Sequence, residues 1–86
     1  MENYNPFFNI LPSIDLHGYN RDMVKAVLYE FIDDNYKLGN KKIIVIHGKG
    51  TGVVKNEVHR LLNKNKKVNT YYLDTFNIGE TIIELK

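Results

Sequence analysis

Apolar positions recur along this chain first at a period of two, then at 3.6, and the alternation of these two periods sets out the elements. Residues 12–17 place Ile14 and Leu16 on one side and Asp15 and His17 on the other, the pattern of a half-buried strand, which Gly18 ends. A helix is predicted from about Asn20, a good N-cap with Asp22 in the first turn. Its stripe is Val24, Val27, Leu28, Phe31, Ile32 and Leu38, and Gly39-Asn40 stops it. Lys41 and Lys42 lead into Ile43–Ile46, a continuous apolar run that predicts a strand covered on both sides. After a glycine-rich turn, a second helix is predicted from Val53 to Asn63 with Val54, Val58, Leu61 and Leu62 inward. A polar, basic loop follows over residues 63–67. Val68 to Thr75 and Glu80 to Leu85 read as two further strands, joined through Phe76-Asn77-Ile78-Gly79. Residues 1–11 form an arm holding Tyr4, Phe7, Phe8, Ile10 and Leu11, apolar enough that it is expected to pack on the domain or on a partner.

The predicted order is β-α-β-α-β-β. Helical crossovers make the first three strands parallel, and the short last connection makes the fourth antiparallel to the third. Two helices cannot cover both faces of four strands, so the fold class is an α/β two-layer sandwich with one sheet face partly open. Eighty-six residues leave room for one core, and 43% hydrophobic with 26% charged residues is ordinary for a globular domain. There is no cysteine, which excludes disulfides and thiolate metal sites and fits a reducing compartment. The Ile43–Ile46 run falls far short of the roughly 20 residues of a membrane span. Met1 to Pro6 show no basic region or apolar signal core. A cytoplasmic protein with no membrane association is expected.

Charge sharpens the picture. Residues 1–40 carry Arg21, Lys25 and Lys37 against Glu2, Asp15, Asp22, Glu30, Asp33 and Asp34, a net −3. Residues 41–67 carry Lys41, Lys42, Lys49, Lys55, Arg60, Lys64, Lys66 and Lys67 against Glu57 alone, a net +7. Residues 68–86 return −2, from Lys86 against Asp74, Glu80 and Glu84. A +7 block that spans one strand, one glycine-rich turn and one helix suggests a surface for phosphates, although a lysine-rich solvated face has the same composition.

Two clusters carry candidate chemistry. Asp15 and His17, spaced i and i+2, share a face at the carboxyl end of the first strand, and His47 opens the turn at the carboxyl end of the second. In open α/β sheets ligands gather beyond these ends. Gly48, Gly50 and Gly52 let the backbone approach an anion, Thr51 adds a hydroxyl, Lys49 a mobile charge, and the next helix begins with free N–H groups. The turn is neither a P-loop nor a G-x-G-x-x-G dinucleotide fingerprint, and the three histidines lack zinc-type spacing. Lys55 and His59, at i and i+4, fit a solvated helix face or a phosphate contact. Tyr71 and Tyr72 point to opposite faces, and the one on the open face would stack a base or be covered by Phe7 and Phe8.

Ile14-Asp15-Leu16-His17-Gly18 resembles the Leu-Asp-Leu-His-Gly motif that opens small MutS-related (Smr) domains. Ile46-His47-Gly48-Lys49-Gly50-Thr51-Gly52 is similar to their His-Gly-x-Gly-Thr-Gly motif, and Gly79-Glu80-Thr81-Ile82-Ile83-Glu84-Leu85 to their closing Gly-x-Thr-Ile/Val-x-x-Leu strand. The likeness covers residues 12–86, read as a stand-alone single-domain member without the MutS ATPase portion of longer relatives. It implies a four-stranded mixed sheet in the order 1-2-4-3 with both helices on one face. It also implies nucleic-acid binding and, in many members, nicking of DNA or cleavage of RNA without an obvious metal centre. Members with the histidine in the first motif look like RNA-cleaving ones, some acting on ribosome-bound messenger RNA. The usual Gly-Gly-x-Gly loop before the last strand is reduced here to Asn77-Ile78-Gly79, where only Gly79 carries over.

The residues and the resemblance together point to an endonuclease needing no metal or cofactor, acting on RNA or, second, DNA. His17 would be general base or acid, oriented by Asp15. His47, the 48–52 turn and Lys55 would bind phosphate, His47 alternatively orienting the loop, with the turn's N–H groups and Lys49 stabilising charge on the scissile phosphate. The rival readings are a non-catalytic RNA- or ribosome-binding module using the same groove, and a protein-interaction domain using the open sheet face and the aromatic arm.

Overall fold

The helix and strand signals are realised in a computed structural model that describes residues 10–86. The elements are β1 (Ser13–Asp15), α1 (Arg21–Leu38), β2 (Lys42–Ile46), α2 (Val53–Lys64), β3 (Val68–Leu73) and β4 (Glu80–Leu85). Asn20 caps α1 by accepting the Asp22 amide at 3.0 Å. Gly39 closes it in the left-handed conformation (φ 81°), where its N–H reaches the carbonyls of Asn35 and Tyr36.

The sheet order is β1-β2-β4-β3. β1 runs parallel to β2, and β4 lies antiparallel between β2 and β3. This insertion places the carboxyl ends of β1, β2 and β3 and the amino end of β4 on one edge of the sheet. The Asp15–His17 strand end, the 47–52 turn and the 74–79 loop therefore converge there.

Both helices pack on one face. Leu16, Val24, Leu28, Ile32, Ile43, Val45, Val58, Leu61, Leu62, Ile83 and Leu85 form a single core. Truncating any of its fully buried isoleucines or leucines to alanine would cost about 2–5 kcal/mol. No helix among the described residues is long and apolar enough to cross a membrane.

Several expectations need correction. The first strand is shorter than residues 12–17, because Gly18 (φ 78°) turns the chain after Leu16 has made its last bond to the Ile46 carbonyl. β3 stops at Leu73 rather than Thr75, since Asp74 begins a hydrogen-bonded loop. β2 is covered on one side only: Ile43 and Val45 are buried, Ile44 and Ile46 half-buried on the open face. In α1, Leu38 is exposed and Asn35 takes an inward position, with its side chain bonded to Phe31 O and Asn40. In α2, Val54 is half-buried and Glu57 is buried instead, held by Arg60 at 2.6 Å and Arg21 at 3.3 Å. Those guanidiniums, Arg60 foremost, push the Glu57 carboxyl down to about 2. The aromatic arm's Tyr4, Phe7 and Phe8 lie outside the described residues, and Ile10 is exposed.

Candidate functional site

At the loaded edge of the sheet, Asp15 Oδ1 accepts both the His17 backbone N–H at 3.0 Å and a bond from His17 Nδ1 at 2.6 Å. An ionised carboxylate only accepts, so the proton of this pair sits on Nδ1 and the lone pair of the neutral ring sits on Nε2. The His17 bond, first through its side chain and then through its backbone, holds the Asp15 carboxyl below the usual carboxylate range. The His17 side chain is 69% exposed, and Nε2 makes no hydrogen bond among the described residues.

The glycine-rich turn faces this pair. His17, Gly18 and Tyr19 form one wall of a groove of about 400 Å³, and residues 47–54 form the other. Gly48 has φ 89°, and a Cβ there would stand 3.3 Å from His17 Cβ, so only glycine allows the turn this close to the histidine. Gly52, also left-handed at φ 87°, precedes the first residue of α2. Gly50 differs: its φ is ordinary and a Cβ would meet nothing within 4 Å. The fold does not require glycine at Gly50, which leaves its backbone open to an approaching ligand. Thr51 lends its hydroxyl to the Val53 amide at 3.4 Å. The first residues of α2, Val53 and Val54, line the groove, which brings the positive end of the helix dipole to it.

The +7 block divides once its partners are known. Arg60 is tied to Glu57, Lys67 to Asp33 and Lys42 to Glu84, and Lys41 bonds the Lys86 carbonyl. Lys49, Lys55, Lys64 and Lys66 make no ion pair among the described residues, and the first two line the glycine-rich turn. A larger hollow of about 480 Å³ lies where α2 ends and β3 begins, between Lys64, Lys66 and Tyr71. It contains neither the histidine pair nor the glycine-rich turn. Among the described residues no three His, Cys, Asp or Glu side chains gather as a metal site.

His47 lines the groove, but its ring is turned into the protein's own hydrogen bonds. It is buried, its Nδ1 lies 3.1 Å from the Gly48 carbonyl, and its Nε2 lies 2.8 Å from Thr81 Oγ1. The carbonyl can only accept, so Nδ1 carries the proton and Nε2 accepts from the Thr81 hydroxyl. His59 Nε2 stands 2.8 Å from the same hydroxyl oxygen and must be its donor. The chain thus runs from His59 N–H to Thr81 O–H to His47, and from His47 N–H to the Gly48 carbonyl. Burial lowers both histidine pKa values, and the nearby Lys55 ammonium adds to this for each. Tyr71 covers His59 at 5.0 Å between ring centroids, while Tyr72 stays exposed on the open face.

The periodicity of α2 did not foretell His59 as part of this network. A legible signal lay in β4, where Thr81 shares the buried face with Ile83 and Leu85. A hydroxyl at a buried strand position demands a partner.

The 74–79 loop completes the edge. The Gly79 carbonyl accepts both His47 N–H and Gly48 N–H at 2.9 Å. A Cβ on Gly79 would meet Asn77 Oδ1 at 3.1 Å and Lys49 Cγ at 3.2 Å. Gly79 is thus the residue of this loop that the turn packs against.

The family model of the Smr domain matches residues 14–86. Among curated proteins, the chain is 37% identical over 81 residues to an endonuclease MutS2 of Clostridium acetobutylicum and 36% identical over 81 residues to that of Caldicellulosiruptor bescii. Each match covers 91% of this chain and 10% of the relative. The chain therefore spans about a tenth of the length of the curated relatives it matches. Among solved structures, the Smr domain of Thermus thermophilus MutS2 superposes with a TM-score of 0.85 at 22% identity, covering 88% of this chain and 99% of that one. YdaL, a stand-alone small MutS-related protein from Escherichia coli, gives 0.83 at 21% identity, covering 93% and 70%. Both likenesses are of fold.

Proposed function

The chain belongs to the Smr domain family, and on that footing we propose that it is a cytoplasmic endonuclease that cleaves RNA without a metal ion. The observation that carries this reading is the Asp15–His17 pair, whose exposed imidazole lines a groove opposite a glycine-rich turn. The MutS2 relatives, named as endonucleases, agree with it.

In the reaction proposed, a phosphodiester lies on the Gly48–Gly52 turn, met by backbone N–H groups, the α2 amino terminus and Lys49. His17 Nε2 takes the proton of the ribose 2′-hydroxyl, while Asp15 holds the imidazolium that forms. The 2′-oxygen bonds to phosphorus and the bond to the 5′-oxygen breaks. A 2′,3′-cyclic phosphate and a 5′-hydroxyl result, the latter taking its proton from solvent. An internal nucleophile removes the need for a metal-bound water. Fixed N–H donors stabilise the added charge on the phosphoryl oxygens.

Incubation with end-labelled single- and double-stranded RNA and DNA, with and without EDTA, tests this. RNA cut to cyclic-phosphate ends in EDTA is the expected result, and cleavage that EDTA abolishes contradicts the mechanism. One observation favours a second reading, binding to RNA or the ribosome without cleavage. His47, the other imidazole at this edge, has both ring nitrogens engaged, so it offers no second proton donor for the leaving group. Tight binding with no cut product would establish that alternative.

A further inference from the structure

On the far side of the glycine-rich turn from His17 lies a second, smaller hollow of about 160 Å³. Its floor is Leu73 and Ile78, which are 37% and 59% exposed, and its cationic wall is Lys49 and Lys55. The two hollows share Gly48, Lys49, Gly50 and Gly52, so the turn is a ridge between them. Anything seated on that ridge has the histidine on one side and this apolar floor on the other.

The floor is built to hold its shape. Asp74 Oδ1 accepts the Phe76 amide at 3.0 Å and Asn77 Oδ1 accepts the Gly79 amide at 3.0 Å. The Asn77 amide group donates to Glu80 Oε1 at 2.8 Å, and Gly79 is pinned to the turn through His47 N–H and Gly48 N–H. Asp74 and Glu80 each accept from the loop's own N–H groups and neither lines the hollow, whose charged side chains are Lys49 and Lys55. Phe76, two residues before Ile78 on the same pinned loop, is 97% exposed. A hydrogen-bonded loop that presents an isoleucine beside two lysines and, two residues before it, an exposed phenyl ring has the chemistry of a nucleotide contact: an apolar surface for a ring face, and ammonium groups for the phosphate attached to it.

We propose that this hollow is a nucleobase subsite, which takes the unpaired base next to the phosphate held on the glycine-rich turn and makes the protein selective for single-stranded nucleic acid. The proposal deepens the reading above and rests on its assignment of phosphate to the turn. A shallow space of this size admits one ring system and no duplex, so a paired base would first have to leave its stack.

The test uses wild-type protein and a single-stranded RNA oligonucleotide, together with the same oligonucleotide carrying one abasic nucleotide at each position in turn. DNA of the same sequence and an RNA duplex serve as parallel ligands, and binding is followed by fluorescence anisotropy. One position should weaken binding by about 5–150-fold when its base is removed, and the duplex should bind more weakly than the single strand. Phe76→Ala with Ile78→Ala should bind the intact strand with that same loss and show no further loss at that position. Both side chains are solvent-exposed, so the fold should persist, and circular dichroism checks this. If every abasic strand binds wild type like the intact one, the subsite is refuted while phosphate binding at the turn stands. If neither strand binds at any salt concentration, the phosphate assignment falls and the subsite with it.

Discussion

Replacing Thr81 separates a hydrogen-bonding account of the site from a packing account. Thr81 is fully buried, and its hydroxyl donates to His47 Nε2 while accepting from His59 Nε2, both at 2.8 Å. Valine has nearly the same shape and removes only the hydroxyl. His47 is itself buried, so its Nε2 would be left without a partner, at a cost of about 1–3 kcal/mol. His59 is half-buried and would recover part of its loss from water. Serine keeps the hydroxyl and loses one methyl, about 0.8 kcal/mol of burial. For a domain of this size 1 kcal/mol moves the melting temperature by about 4–8 °C. Thr81→Ser is therefore expected to melt only a few degrees below wild type, and Thr81→Val about 4–24 °C below it. Thermal unfolding followed by circular dichroism at pH 8, where both imidazoles are neutral, measures the order. If Thr81→Val is as stable as wild type and Thr81→Ser is the weaker variant, packing alone explains the position and the assigned proton chain is wrong.

Glu57 governs the acid limb of stability. Its carboxyl is favoured ionised in the fold, so its contribution is complete above the ordinary value of 4.5 and is lost as pH falls to about 2. Glu57→Gln should flatten the decline of melting temperature across that window, and an unchanged decline would contradict this. Lys49→Ala should reduce the log–log salt slope of single-strand binding by about 0.7, whereas Lys42→Ala, whose ammonium pairs with Glu84, should leave it unchanged. Equal effects would mean that the whole basic block acts as a diffuse surface. Gly48→Ala must adopt a left-handed backbone, at about 1–2 kcal/mol, and crowd His17, so it should lower both melting temperature and cleavage. Gly50→Ala meets open space and should leave the melting temperature unchanged. Identical melting curves for the two variants would refute the distinction.

Much of this architecture was legible because the periodicities are regular and the punctuation sits where it is needed. Asn20 caps α1, Gly39 closes it, and Gly52 precedes α2. The convergence of Asp15–His17 with the 47–52 turn followed from two parallel strands ending on one edge. What stayed hidden were polar groups that tertiary contacts draw inward. His47 reads from the sequence as a phosphate ligand or a loop-orienting residue, and the partners of its ring, Thr81 and Gly48, were not legible there. Glu57 looks like the one acid on a basic helix, yet Arg21 arrives from α1, 36 residues earlier, to share it with Arg60. Leu38 obeys the helical period and is still exposed, at the last residue of α1. Pairings between distant elements leave no periodic trace, so patterns along the chain could not report them.

The central claim is that His17 is the proton-transfer group of an RNA-cleaving site. Single-turnover cleavage of labelled RNA by wild type and His17→Ala, with the dissociation constant of each measured on the same strand, tests it most directly. His17 is exposed at a strand end and contributes little to the core, so the variant should keep its fold and its affinity. It should lose cleavage by about 10²–10⁴-fold, the usual contribution of a positioned acid or base. Cleavage that continues at the wild-type rate in His17→Ala would contradict the account.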